Sequence, residues 1–154
     1  MKIFPLSYKT FQQSSDLLFS LGLDTREEIE HHLSDMSQYY VATEREEVVG
    51  IIGWYQDNVN YAKEAMGELF PGERAYWVGF FGVASAHQNK GIGKLLIQHL
   101  EDILLRMNAN ELWVSSVPDA AAYYQGRGFY IISSGEIHGN RKIFLKKDLE
   151  QSRG

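Results

Sequence analysis

The chain has 154 residues, of which 44% are hydrophobic and 23% charged, the balance of a globular protein with one core rather than of a disordered chain. It has no cysteine, which excludes disulfides, cysteine-ligated zinc and a cysteine nucleophile. With 15 Lys and Arg against 20 Asp and Glu, the formal net charge of −5 argues against a nucleic-acid partner, whose phosphates need clustered cations; it suits solubility or a cationic partner such as an amine.

The opening, Met1 to Leu6, is broken by Pro5 and turns polar from Ser7, and no apolar run reaches the ~18 residues of a membrane span. A soluble cytoplasmic protein with no membrane partner is therefore expected. No repeat or linker interrupts the chain, so residues 1–154 are expected to form a single domain.

In chain order, residues 2–8 read as a short strand. Helices follow over 11–21 and 26–36, separated by Gly22, with Asp24 or Thr25 as the cap of the second. Strands over 39–43 and 48–56 flank a charged turn, and a helix over 61–69 ends at Pro71-Gly72. Tyr76 to Val83 is apolar without alternation, as in a strand covered on both faces. The helix starting near Gly91 places Ile92, Leu95, Leu96, Leu100, Ile103, Leu104 and Met107 on one face. A strand over 111–117 is followed by a short helix capped by Asp119. A hairpin then closes the fold, its strands at 129–134 and 142–147 meeting across Gly139-Asn140. This alternation predicts an α/β fold of the α+β kind, a mixed sheet with helices on both faces.

The segment from Val83 to Leu96, VASAHQNKGIGKLL, carries the chemistry. A buried strand ends, a polar turn follows, and an amphipathic helix begins inside a glycine-rich stretch. At such a junction the first helical amides lack intrahelical acceptors and the helix dipole is positive, so a pyrophosphate is stabilised there. Gly91 and Gly93 let phosphate oxygens approach the main chain, and Lys90 and Lys94 add charge. A P-loop is excluded because Leu95 follows Gly93-Lys94, and a dinucleotide fingerprint because Leu96 stands where a third glycine belongs.

Gln88-x-x-Gly91-x-Gly93, followed by Lys94-Leu95-Leu96, resembles the acyl-CoA-binding motif of the GNAT superfamily of N-acetyltransferases. A second stretch, Ala121-x-Tyr123-Tyr124-x-x-x-Gly128-Phe129, is similar to that family's A-x-x-[FY]-Y-x-x-x-G-F, and 143–149 is similar to its last strand. The resemblance covers residues 39–149. It implies a mixed, mostly antiparallel sheet of about seven strands whose middle strands, here 76–83 and 111–117, splay apart around the pantetheine arm of acetyl-CoA. It implies that the main chain at Phe81, Gly82 and Val83 holds the pantetheine amides. The amides of Gln88, Asn89, Lys90, Gly91, Ile92, Gly93 and Lys94 would hold the pyrophosphate. Gly79 and Gly82 suit a close backbone approach.

In the same comparison Tyr124 matches the residue that assists the leaving thiolate, with Tyr123 packing against the sheet. The resemblance leaves the general base open: no acid lies in 76–83, and Glu73, just before the strand, is the first candidate, followed by Glu68, His87 and His138. The implied activity is acetyl transfer from acetyl-CoA to a primary amine without a metal. The acceptor is expected to be a small molecule, its specificity residing in the first two helices, in 57–75 and in the 135–140 turn. Aromatic residues there (Trp54, Tyr55, Tyr61, Phe70, Tyr76) suit a cation-binding pocket. The alternatives are a protein amino-group acetyltransferase and a non-catalytic acyl-CoA-binding module. A homodimer rests on family analogy alone.

Overall fold

The computed structural model describes residues 1–150. Seven strands form one sheet. They are β1 (Lys2–Pro5), β2 (Tyr39–Glu44), β3 (Glu47–Gln56), β4 (Tyr76–Val83), β5 (Glu111–Ser116), β6 (Tyr130–Ile137) and β7 (Asn140–Asp148). Their order in the sheet is β1-β2-β3-β4-β5-β7-β6. Five α-helices accompany it: α1 (Tyr8–Ser20), α2 (Arg26–Leu33), α3 (Lys63–Met66), α4 (Ile92–Arg106) and α5 (Ala121–Gly126). The expected mixed sheet of seven strands is therefore present. No helix among the described residues is long and apolar enough to cross a membrane.

The chain forms two compact units. The first comprises residues 1–54 and 79–102, the second 55–78 and the residues from 103 on. In the first, β1, β2 and β3 pair antiparallel, and Leu18, Ile29, Leu33, Val41 and Ile51 form a fully buried core under α1 and α2. Strand β1 is shorter than expected because the chain turns at Ser7, whose amide donates to Thr10 Oγ1 at 3.2 Å and starts α1 at Tyr8. Of the two expected caps for α2, Thr25 fills the position, its Oγ1 accepting the Glu28 amide. A small network joins the two helices: Arg26 bonds Ser15 and Asp16, and Ser15 donates to Glu30.

In the second unit, β4 and β5 run parallel, while β5–β7 and β7–β6 are antiparallel. Its core gathers Trp77, Trp113, Phe144, Met66, Ala62 and Ile137. Between β3 and α3 the chain is organised by Asp57. Its carboxylate is 2% exposed and accepts the amides of Tyr61 (2.6 Å) and Ala62 (2.7 Å). The expected helix over 61–69 is thus one α-turn, α3, continued by a 3-10 turn at Gly67–Leu69.

Three expectations are corrected. Leu95 and Met107 of the expected buried face are 45% and 39% exposed, and Ile97 is buried instead. The buried side of α4 is centred between Leu96 and Leu100, from which Leu95 is turned by roughly 120° at 100° per residue, and Met107 lies past the helix end. Asp119 caps nothing, since Pro118–Ala120 forms a 3-10 turn and α5 starts after Ala120. The closing hairpin turns at His138-Gly139, both at positive φ (51° and 79°), and Asn140 already pairs with Ile137. Two consecutive left-handed residues give the twist that a two-residue hairpin needs.

Asp57→Ala leaves two amides without their acceptor, and the expected loss of about 2–3 kcal/mol is read from the urea midpoint at constant slope. A midpoint unchanged from the parent contradicts this account of the loop.

Candidate functional site

The glycine turn lies wholly in the first unit. After β4, the Ala84 amide donates to Val49 O on β3 (2.8 Å), and the His87 amide to Ala84 O (2.8 Å), closing a 3-10 turn over Ser85–His87. Gln88 then runs extended, and its Nε2 donates back to Val83 O at 3.1 Å. Asn89 and Gly91 adopt left-handed φ of 64° and 83°. The rung nearest the helix start is Leu95 N–H to Gly91 O at 3.1 Å, so the amides of Ile92, Gly93 and Lys94 precede the helical ladder. A Cβ built on Gly91 meets nothing within 4 Å, so its glycine serves conformation and an open approach, not internal packing. Lys90 and Lys94 are exposed beside it.

The Gln88 side chain is thus a brace between the turn and the end of β4, a role that the motif alone does not reveal. It engages the Val83 carbonyl and leaves the Val83 amide to other acceptors. His87 Nδ1 lies 3.3 Å from Glu44 Oε2, without the alignment of a hydrogen bond, which ties this histidine to the end of β2.

Strand β4 carries a second feature. Its ladder with β5 consists of Tyr76↔Leu112 and Trp77↔Trp113 alone. Farther along, in the first unit, Phe80 N–H donates to the Tyr39 hydroxyl at 3.2 Å. Gly79 and Gly82 are each closely packed by side chains of the protein itself. A Cβ on Gly79 would stand 2.7 Å from the Tyr39 oxygen, and one on Gly82 would stand 2.7 Å from Leu21 Cδ1 of the first-unit core. Both vacancies are filled by the protein's own side chains. Burial pushes the Tyr39 phenol up to about 12, against a smaller opposing effect of the Phe80 amide.

Tyr124 lies in the second unit on α5, 9% exposed, with the rings of Tyr123 and Phe129 edge-on at 5.7 and 5.6 Å. The second motif is a helix end. Tyr124 O accepts the amides of Arg127 and Phe129, and Gly128 turns the chain at φ 98°, returning Phe129 onto Tyr124. A Cβ on Gly128 would press on the Lys147 side chain at 3.0 Å. Burial raises the Tyr124 phenol well above the ordinary tyrosine value, with a smaller push from Tyr123. Tyr123 itself is 41% exposed, so it does not pack away as expected. Glu73 and Glu68 are exposed on the stretch between α3 and β4, and His138 occupies the hairpin turn beside Tyr61.

A sequence model of the acetyltransferase (GNAT) family matches residues 7–129, and the chain belongs to that family. The same fold occurs in aminoglycoside 6'-N-acetyltransferase complexed with coenzyme A, at a TM-score of 0.77 and 15% identity over all of both chains. Ard1 from Thermoplasma volcanium matches with a TM-score of 0.76 and 14% identity, over 97% of each chain. N-acetylglutamate synthase from Neisseria gonorrhoeae, complexed with coenzyme A and N-acetyl-glutamate, has a TM-score of 0.75 and 17% identity; the match covers 97% of this chain and 35% of that one. A comparison with curated proteins finds no match to the sequence.

The buried phenols set a pH dependence of stability. An unfolded tyrosine titrates near 10, so above that pH the unfolded state has lost protons that the folded state keeps. The stability contributed by Tyr39 is complete below pH 10 and declines as pH rises towards 12. Denaturation at pH 9 and 11.5 is expected to show a loss for the parent that exceeds that of Tyr39→Phe by about 2 kcal/mol. Equal losses contradict the assignment.

Proposed function

We propose that this protein transfers an acetyl group from acetyl-CoA to the primary amine of a small molecule, by direct attack in a ternary complex within a single catalytic domain. The observation that carries the proposal is the turn from Gln88 to Lys94, whose amides at Ile92, Gly93 and Lys94 precede the first helical rung. Membership of the acetyltransferase family, and likeness in fold to proteins whose structures hold coenzyme A, support the choice of ligand.

In this reading the pyrophosphate rests on the amides of Gln88, Asn89, Lys90, Gly91, Ile92, Gly93 and Lys94. There the helix dipole and the exposed lysines favour negative charge. The main chain at Phe81, Gly82 and Val83 meets the amides of the pantetheine arm, which continues the sheet's hydrogen bonding along the edge of β4.

The amine lone pair attacks the thioester carbonyl, the C–S bond breaks, and the thiolate of coenzyme A leaves as the ammonium nitrogen gives up its proton. Tyr124 is assigned to the leaving thiolate. An ordinary phenol near 10 is already a poor donor of a whole proton to a thiol near 8.5, and burial raises Tyr124 further. Its role is therefore a hydrogen bond to the developing negative charge rather than complete proton transfer.

The acceptor enters as an ammonium ion. For an amine near 10.4 the neutral form costs about 4.6 kcal/mol at pH 7, so a base that removes the proton through water is a direct gain in rate. Glu73, in the stretch leading into β4, is assigned that role.

Tyr124→Phe is expected to leave acetyl-CoA affinity within about two-fold and to lower kcat at least ~10-fold; an unchanged kcat removes Tyr124 from the chemistry. Glu73→Gln is expected to lower kcat and to move the acidic limb of the pH–rate profile towards higher pH, and a profile identical to the parent's refutes the base. The reaction itself is tested by coenzyme A release across a panel of small amines and of peptides with free amino groups. Release that requires a small amine is the expected result. Release with peptides alone moves the acceptor to proteins, and acetyl-CoA binding with no amine-dependent release overturns catalysis.

A further inference from the structure

We infer that His87 and Glu44 form a proton-operated clasp on the coenzyme turn: when a pyrophosphate settles on the amides that follow His87, the imidazole takes up a proton and closes an ion pair with the Glu44 carboxylate. The inference rests on the acetyl-CoA reading above and deepens it.

All the groups involved lie in the first unit. His87 ends the 3-10 turn Ser85–His87 and stands immediately before Gln88, where the amides assigned to the pyrophosphate begin. Its backbone is fixed, since the His87 amide donates to Ala84 O and the Ala84 amide to Val49 O of β3, both at 2.8 Å. Its side chain brings Nδ1 to 3.3 Å from Glu44 Oε2, at the end of β2, and this nitrogen is buried and makes no hydrogen bond. The β2–β3 hairpin thus holds the turn by main chain at Val49 and by side chain at Glu44. Arg45, Glu46 and Glu47 of that hairpin and Lys90 of the glycine turn are exposed, and among the described residues Glu44 is the one charged group within ion-pair reach of the ring.

A neutral imidazole presents Nδ1 to the carboxylate either as a lone pair, which repels it, or as an N–H that this geometry leaves misaligned. The ionised ring is attracted at the same distance whatever its alignment. The Glu44 side chain is 39% exposed, so water screens part of that attraction. A pyrophosphate on the next residues adds a second anion beside the ring, and the balance moves towards the charged form. The sign follows by linkage. Protons gained on binding make affinity rise as pH falls, across the range in which imidazoles titrate.

The test titrates purified full-length protein with 3′-dephospho-coenzyme A by calorimetry at low salt. Its pyrophosphate diester stays ionised throughout, whereas the 3′-phosphate of coenzyme A itself titrates near about 6 and would mask the effect. For the parent, affinity at pH 6 is expected to exceed that at pH 8 roughly five-fold. Heats in two buffers of different ionisation enthalpy are expected to show a fraction of a proton taken up near pH 7. His87→Gln, which takes no proton, is expected to give a flat profile at the parent's pH 8 affinity. Glu44→Gln keeps the imidazole and loses its partner, so its rise is expected at lower pH than the parent's. A flat parent profile, a rise that survives in His87→Gln, or a Glu44→Gln profile identical to the parent's overturns the inference. Should His87→Gln fail to fold, Glu44→Gln decides by the same criterion, and failure of both to fold assigns the pair a structural role and overturns the clasp. Absence of binding by the parent at every pH instead overturns the acetyl-CoA reading itself, and the clasp with it.

Discussion

A strand that parts from its neighbour must find other partners for its backbone, and β4 is where this fold meets that requirement. Its parallel ladder with β5 lasts for two residue pairs, ending at Trp77. Three residues later the Phe80 amide is satisfied by a tyrosine hydroxyl, and the strand's end is held by Val49 and by Gln88. Each of these bonds gives a main-chain polar group a partner that offsets its desolvation. Glycine at 53 and 79 follows from the same constraint, since any side chain there would displace the tyrosine ring or its oxygen.

The turn after β4 solves a related problem at the head of α4. A helix always begins with amides that lack acceptors. Here they follow a left-handed asparagine and a left-handed glycine, beside two exposed lysines. The backbone conformation keeps the amides accessible, and the Gln88 brace holds the turn to the strand that precedes it. Preorganisation of this kind spares a ligand the entropy of ordering the loop. The family's first motif is thus a set of local conformational demands, each met by a residue able to satisfy it.

The second motif has the same character. Gly128 reverses the chain after α5 and returns Phe129 against Tyr124, whose phenol becomes buried and strongly held in its neutral form. Burial makes Tyr124 a reluctant acid, and in the proposed reaction that suits a hydrogen bond to the thiolate better than its protonation.

Amino-acid order by itself determined the succession of strands and helices, a cap for α2 at Asp24 or Thr25, the glycine turn, and the pairing of two motifs that point to one family. All of these depend on residues within a few positions of one another, where φ preferences, periodicity and capping are decided. Asp119 misled because a proline-led 3-10 turn competes with a cap at that spacing. Tertiary structure alone decided which side of α4 is buried, because the covering elements, not the helix, choose among its apolar residues. It alone buried Asp57 as an acceptor for two amides, and it alone carried the Tyr39 hydroxyl to a strand amide 41 residues away. Such contacts exist only after distant segments have been packed together, and no local rule encodes them.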